Sequence, residues 1–404
     1  MSIYTDMINK KKKEWNCENL MDSAKAERGS KIPFSSPLLN YSTYGGIPRN
    51  MITEFFGAPG GGKSTTAIDI CKNASELFSE EYEIKLSNLR DKVARGDKAA
   101  KIELDDLIDV GPKRVLYVDL EHSFDGSWAR TLGITDDYAI DIMQPPDVVA
   151  EDILQTVQEL IESDQLGLVV LDSIPSLIPR QELEKKFGER TVASLAGLLT
   201  IFCRKIVPIL SRYDTTLLVI NQIRDNMDNP YVVNTPGGQA LKFYCSLRIQ
   251  FRVGSPVDFL GNELPTNTEN PAGYIVTAKI AKQKSAPWDR RNGTYYLMAQ
   301  SGIRIDMDFA KLAVQQNIIR KAGAWFTLCN PFTGEILEEE GKPVKLNGMA
   351  KVYDYIQCNR KYYNMLKKYL TDFINGVDPV LEDMEEIDGE GEQDIQLQTG
   401  ESTS

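Results

Sequence analysis

The stretch Gly57-Ala58-Pro59-Gly60-Gly61-Gly62-Lys63-Ser64-Thr65 follows the apolar run Met51-Ile-Thr-Glu-Phe-Phe56 and leads into Thr66-Ala-Ile-Asp-Ile70. Glycine, four residues, then Gly-Lys-Ser between a predicted strand and a predicted helix start is the full P-loop pattern. The chemistry needs these residue types. Glycines let backbone N–H groups turn inward onto phosphate oxygens, and the helix N-terminus adds partial positive charge. Lys63 would neutralise the β- and γ-phosphates and the Ser64 hydroxyl could ligate Mg²⁺. Residues 57–65 are therefore expected to bind ATP, with Mg²⁺ as cofactor.

Outward from this loop, short Val-, Ile- and Leu-rich runs alternate with helical patterns. The runs cover residues 51–56, 115–120, 168–171, 216–220, 247–251 and 274–281, with a weaker one at 295–299. Runs without polar alternation suit strands buried on both faces, so the first four are expected to be parallel and central. The fold class is α/β, a mostly parallel central sheet flanked by helices. A buried strand must also bring one carboxylate to the Mg²⁺ shell, and Leu168-Val-Val-Leu171-Asp172 does this. Hydrolysis needs a group that orients the attacking water. Asp119-Leu-Glu121-His122 ends the second run, which makes Glu121 the candidate base and His122 a bystander.

At 404 residues, with 42% hydrophobic and 26% charged, the composition is that of an ordinary globular chain. The net charge of −12 would argue against a nucleic-acid binder, but residues 377–404 carry ten acidic side chains and no Lys or Arg. Without them the balance is −12 + 10 = −2. Six dispersed cysteines and the single His122 exclude a structural zinc pattern and read as reduced core residues. No run approaches the roughly 20 apolar residues of a membrane helix, and the N-terminus lacks a signal h-region. A cytoplasmic protein without membrane partners is expected.

Four segments are expected along the chain. Residues 1–40 form a basic N-terminal arm with Lys10 to Lys13 beside Trp15. Residues 41–304 form the core, within which the charged stretch 79–113 reads as a partly helical surface insertion. Residues 305–376 form a small C-terminal α+β domain, with a helix-like pattern from Tyr353 to Phe373. Residues 377–404 form an acidic tail.

Several longer stretches resemble the bacterial RecA recombinase family. They are Val118-Asp-Leu-Glu-His-Ser-Phe-Asp-Gly-Ser-Trp128, Leu168-Val-Val-Leu-Asp-Ser-Ile-Pro-Ser176, Leu217-Leu-Val-Ile-Asn-Gln-Ile-Arg224, Thr235-Pro-Gly-Gly-Gln-Ala-Leu-Lys-Phe-Tyr244 and Lys321-Ala-Gly-Ala-Trp-Phe326. The resemblance covers about residues 36–326 and implies a RecA-type P-loop ATPase. It implies that Glu121 activates water, that Asp125 and Trp128 lie near the adenine, and that Gln222 senses the γ-phosphate. Lys282 and Lys284 would reach the nucleotide of a neighbouring subunit, which places the ATP site at the interface of a helical filament.

The same resemblance implies binding to single-stranded DNA and pairing with homologous double-stranded DNA. A first loop would offer Lys185, Lys186 and Arg190, the following helix Arg204, and a second loop Arg224, Gly237 and Gly238. Such contacts are mostly to phosphates and so salt-sensitive. Two departures lower the positive charge there: Gly197 stands where the family commonly has arginine, and the shorter second loop carries Asp225 and Asp228. The acidic tail looks like the family's C-terminal tail, which competes with DNA for basic surface. Two rival readings are a ring helicase or loader on the same core, and a non-catalytic filament-forming mediator.

Overall fold

A run such as Leu168-Val-Val-Leu171 can be a strand only where both faces are covered, and the fold covers them. The computed structural model describes Lys10 and residues 31–147, 149–185, 194–223, 235–287 and 289–379. After β1 (Lys31–Ile32), α1 (Pro37–Thr43) and β2 (Ile47–Pro48), strand β3 (Ile52–Gly57) enters the glycine loop and α2 (Lys63–Ala94), followed by α3 (Lys98–Val110). Next come β4 (Arg114–Asp119), α4 (Gly126–Thr131), β5 (Ile140–Met143), α5 (Ala150–Glu162) and β6 (Leu166–Asp172). The turn α6 (Arg180–Leu183), α7 (Ser194–Arg212), β7 (Thr216–Gln222) and α8 (Ala240–Tyr244) follow. Strands β8 (Leu247–Val257), β9 (Gly273–Gln283), β10 (Asn292–Met298) and β11 (Gly302–Ile303) complete one sheet.

Its order is β11-β10-β9-β8-β3-β7-β6-β4-β5. Strands β8 to β5 pair in parallel, whereas β9, β10 and β11 add on antiparallel. The four runs expected to be parallel and central are β3, β4, β6 and β7. Successive side chains point to opposite faces. Phe55, Tyr117, Val170, Leu218 and Phe251 therefore pack with Ile68 and Phe78 of α2, while Leu116, Val118, Leu171 and Val219 pack with residues of α5 and α7. Strand β5 has no counterpart among the expected runs. It is a short edge strand whose central Asp141 is exposed and pairs with Arg114, so it lacks the apolar run that marks the others.

Residues 79–110 differ from the expected insertion in being almost wholly helical. No Gly or Pro interrupts residues 63–94, so α2 continues past the sheet until Gly96 at φ 90° turns the chain. Asp97 then caps α3 by accepting from the backbone N–H of Ala99 and Ala100, and Leu86 and Leu89 are buried within the helical hairpin.

The C-terminal part has α9 (Ile305–Gln315), β12 (Ile319–Ala322), β13 (Trp325–Leu328), β14 (Glu338–Glu339), β15 (Lys342–Pro343), β16 (Lys345–Asn347), α10 (Met349–Cys358) and α11 (Arg360–Asn375). Lys321-Ala-Gly-Ala-Trp-Phe326 is a β-hairpin turning at Gly323, φ 61°. The single helix expected from Tyr353 to Phe373 is broken at Asn359. Its side chain accepts from the Tyr362 N–H at 3.0 Å, because asparagine favours a cap over a helix interior.

A third apolar cluster joins this part to the core, with Leu38, Val257 and Tyr296 packed among Met307, Leu312, Phe326, Val352 and Leu366. Asp308 is fully buried in that seam. It accepts from the Tyr296 N–H at 3.3 Å and from the Ser36 hydroxyl, while its Oδ2 has no partner. Burial pushes this carboxyl well above its ordinary value, against those hydrogen bonds and nearby Lys311. A raised folded-state pKa means that the native state holds the proton more tightly. Stability is then fullest below the ordinary carboxylate range and falls as pH rises through it toward the folded value. Asp308→Asn should remove that loss. Thermal melts from about pH 4 to about pH 8 should show the variant gaining on wild type as pH rises, and parallel curves would contradict the assignment.

Candidate active site

The parallel register brings four polar strand ends to one edge. Gly57 of β3 lies opposite Gln222 of β7, and Asp119 of β4 opposite Asp172 of β6. The glycine loop passes over this edge. A Cβ at Gly57 would stand 2.2 Å from the Phe251 carbonyl oxygen, so only glycine fits beside β8. Gly62, at φ 86°, precedes α2, and a Cβ there would meet the Tyr295 hydroxyl at 2.8 Å. That hydroxyl lies 2.7 Å from Thr66 Oγ1, which itself lies 2.7 Å from the Gly62 carbonyl oxygen. Tyr295 and Thr66 thus brace the start of the helix from below.

Lys63 is buried, and its Nζ donates to the Ala58 carbonyl at 2.7 Å. Burial lowers its pKa, with the Asp172 and Glu121 carboxylates acting in the opposite direction. Asp172 accepts from the Tyr117 hydroxyl at 2.6 Å and from the Ser64 hydroxyl. Burial raises its pKa, those hydrogen bonds oppose the rise, and the Glu121 and Asp119 charges add to it. One buried carboxylate touching one hydroxyl is the donor set that suits Mg²⁺, which keeps several waters and takes its other ligands from phosphates. Among the described residues no cluster of three or more His, Cys, Asp or Glu offers an all-protein cage.

Glu121 is exposed at the mouth of this edge. It accepts from Gln222 Nε2 at 3.0 Å and from the Ser173 hydroxyl. Asn221 accepts from the Gln222 N–H at 3.0 Å and donates to both buried Glu54, at 2.9 Å, and the Pro236 carbonyl, at 3.1 Å. Glu54 also pairs with Arg248. Asp119 is occupied inside its own turn. Burial would raise its pKa, but Gln144 and the N–H groups of Phe124, Ser123 and Glu121 hold it below the ordinary value. His122, at φ 52°, hydrogen-bonds the Pro145 carbonyl at 3.0 Å. Asp125 caps α4 through the N–H groups of Ser127 and Trp128, and the Trp128 indole donates to Thr65 Oγ1 at 3.2 Å. Sequence reading misses Tyr117, Ser173, Asn221 and Tyr295. Only Ser173 carries a signal, as the residue that follows Asp172.

Comparison with known proteins decides the family. A profile of the RecA N-terminal domain matches residues 107–304. The chain is 32% identical over 286 residues to Protein RecA of Thermus aquaticus, covering 70% of this chain and 71% of that one. Protein RecA of Thermus thermophilus is 31% identical over 315 residues, covering 77% and 78%. That of Rhodopirellula baltica is 30% identical over 293 residues, covering 72% and 66%. The chain belongs to the RecA family. It is accordingly an ATP-dependent DNA recombinase and a DNA-dependent ATPase. The profile begins inside α3, so the P-loop lies before the matched span and rests on its own geometry.

In this RecA-family fold Lys282 and Lys284 lie away from their own P-loop. Gly57 pairs with Phe251 and so with Ala278, whereas Lys282 pairs with Arg248 and so with Glu54. Three residues along β8 amount to about 10 Å. Both amines donate to carbonyls at the end of α8, Lys282 to Lys242 and Phe243 and Lys284 to Phe243. Of the residues expected to meet DNA, Lys185 and Arg204 are exposed, while Lys186, Arg190 and Arg224 lie outside the described residues. Gly237 and Gly238 are needed for packing as well as for any approach to phosphates. A Cβ at either would strike Leu199 at 2.5 Å or Ala196 at 2.8 Å on α7. No helix among the described residues is long and apolar enough to cross a membrane.

Gly62→Ala, with its positive φ and the Tyr295 contact, should weaken ATP binding at least about tenfold, about 1.4 kcal/mol. Calorimetric titration with a non-hydrolysable ATP analogue measures this, and wild-type affinity would show that the loop binds in another conformation.

Proposed function

We propose that this RecA-family chain assembles on single-stranded DNA as a helical filament, pairs it with homologous duplex and exchanges strands. ATP binding and hydrolysis would control its grip. The observation that carries the reading is the direct hydrogen bond between Glu121 and Gln222, continued through Asn221 to Pro236 at the exit of the second loop.

Each group has a part in that scheme. Residues 57–62 present backbone N–H groups to the phosphates, and Lys63 exchanges the Ala58 carbonyl for phosphate oxygens. Ser64 and Asp172 would hold Mg²⁺, which would supply positive charge against that of the phosphates. Glu121, oriented by Ser173, takes the proton of the attacking water. Gln222 donates to the γ-phosphate in place of Glu121, and its shift is passed to the second loop through Asn221. Asp125 and Trp128 flank the base, with the indole available for stacking.

Lys282 and Lys284, at the sheet end remote from their own P-loop, would complete the site of the next subunit and make turnover depend on assembly. Lys185, Lys186, Arg190, Arg204, Arg224 and the backbone at Gly237 and Gly238 would contact DNA phosphates. The arm, residues 1–40, would serve oligomerisation, with residues 41–304 as core, 305–376 as C-terminal domain and 377–404 as acidic tail. Lys282, Lys284 and the Lys321–Phe326 segment disfavour a ring helicase, and Glu121 with Gln222 disfavours a non-catalytic mediator.

Glu121→Gln should retain ATP-dependent DNA binding and lose turnover at least about a hundredfold, whereas Lys63→Ala should impair both. Steady-state ATPase and strand-exchange assays with homologous DNAs read the two effects. Near-normal hydrolysis by Glu121→Gln would remove the base assignment, and absence of strand exchange by wild type would remove the function.

A further inference from the structure

Strand β3 carries one charged side chain. Glu54 lies in Ile52-Thr-Glu-Phe-Phe56, between β7 and β8 in the middle of the sheet, and is fully buried. A carboxylate in such a place needs partners for both of its oxygens. Oε2 accepts from Arg248 Nε of β8, and Oε1 accepts from Asn221 Nδ2 of β7 at 2.9 Å. The Arg248 side chain is itself largely buried, and its guanidinium lies 4.6 Å from the centre of the Phe56 ring. The proposed chemistry uses neither Glu54 nor Arg248.

A carboxylate paired with arginine only accepts hydrogen bonds, whereas an Asn side chain has one accepting and one donating end. Glu54 therefore settles which way round Asn221 stands. Nδ2 must turn to Glu54, where it also reaches the Pro236 carbonyl at 3.1 Å, and Oδ1 is left for the Gln222 N–H at 3.0 Å. The reversed amide would set Oδ1 against the Glu54 and Pro236 oxygens and Nδ2 against the Gln222 N–H, like against like at each contact. Arg248 occupies the second carboxylate oxygen and, from the strand on the other side, holds Glu54 between β7 and β8.

We propose that Glu54, paired with Arg248, is a positioning residue for the nucleotide response: it orients the Asn221 amide so that Gln222 and Pro236, at the exit of the second loop, hang from one side chain. This rests on the reading of Gln222 as the group that meets the γ-phosphate. Glu54 acts through Asn221. Arg248 carries the same link toward β9, because it stands opposite Lys282 in the register.

Glu54→Gln tests this, since it keeps the shape of the side chain and replaces one acceptor by a donor. Arg248, as the charged donor, takes the remaining oxygen, and the new NH₂ group faces Asn221. The Asn221 amide then turns over and the Gln222 N–H loses its acceptor. Hydrogen exchange of the full-length protein without nucleotide, read at single residues, should show the Gln222 amide exchanging at least about tenfold faster than in wild type, with Val219 and Ile220 of β7 unchanged. Glu54→Gln/Asn221→Asp should restore slow exchange, because the carboxylate then at position 221 accepts from both the amide at position 54 and the Gln222 N–H.

The second readout is the ratio of affinities for a single-stranded oligonucleotide with a non-hydrolysable ATP analogue and with ADP. Glu54→Gln should shrink that ratio at least about fivefold. Slow exchange at Gln222 in the single variant overturns the positioning role, and so does a wild-type ratio in a variant whose Gln222 amide exchanges fast. A wild-type protein whose affinity ignores the nucleotide would remove the proposed function instead, and the exchange experiment would still decide whether Glu54 orients Asn221. If Glu54→Gln does not fold, the double variant decides: slow exchange at Gln222 supports the assignment, and fast exchange despite an acceptor at position 221 sinks it.

Discussion

The hydrogen-bond ladder of β4, β6, β7 and β3 is the constraint on which the site depends. Parallel pairing fixes which residues end level, and here Asp119, Asp172, Gln222 and Gly57 arrive together at one edge. A one-residue slip in any of these strands would turn its terminal polar group to the other face and its apolar residues out of their layer. Two separate apolar clusters oppose such a slip, because every inner strand is buried on both sides. The precision of the candidate catalytic edge is thus a by-product of core packing.

At that edge each donor already has an internal acceptor. Lys63 holds the Ala58 carbonyl, Gln222 holds Glu121, and Ser64 and Tyr117 hold Asp172. Buried or half-buried polar groups must be satisfied in this way, since an unmet one costs about 1–3 kcal/mol. In the proposed function phosphate oxygens and a divalent cation would replace these partners. For Lys63 a charged phosphate oxygen would take the place of a neutral carbonyl, and that difference in affinity is what would shift the conformational balance.

Most of the fold was legible because its signals are local. The P-loop spacing, the uniform apolar runs and Leu168-Val-Val-Leu171-Asp172 each carry their meaning within about ten residues. What escaped depends on contacts between distant segments. Tyr295 and Tyr117 sit inside apolar runs where they read as core, yet their hydroxyls meet Thr66 and Asp172. Charge obscured residues 79–113: a mixed-sign surface reads as a partly helical insertion, although the absence of Gly and Pro from residues 63–94 favours continuous helix there. Asn359 was similarly an ordinary polar residue in a helical pattern until its side chain was seen to cap α11.

Lys282 and Lys284 link the end of β9 to α8. Their amines now hold carbonyls at the end of α8, the helix that follows Gly237 and Gly238. Burial lowers the pKa of Lys282, and the adjacent Lys284 charge lowers it further, so a phosphate would be a more compatible partner for the pair than neutral carbonyls. If a neighbouring subunit's nucleotide takes these lysines, α8 loses its end contacts at the same time. The glycine turn before it, packed on α7 at Leu199 and Ala196, also lies against Leu241 of α8 and would lose that fixed neighbour. Nucleotide on one subunit and the second loop on the next would in that way be connected by a handful of lysine hydrogen bonds, without any change in the sheet that carries them.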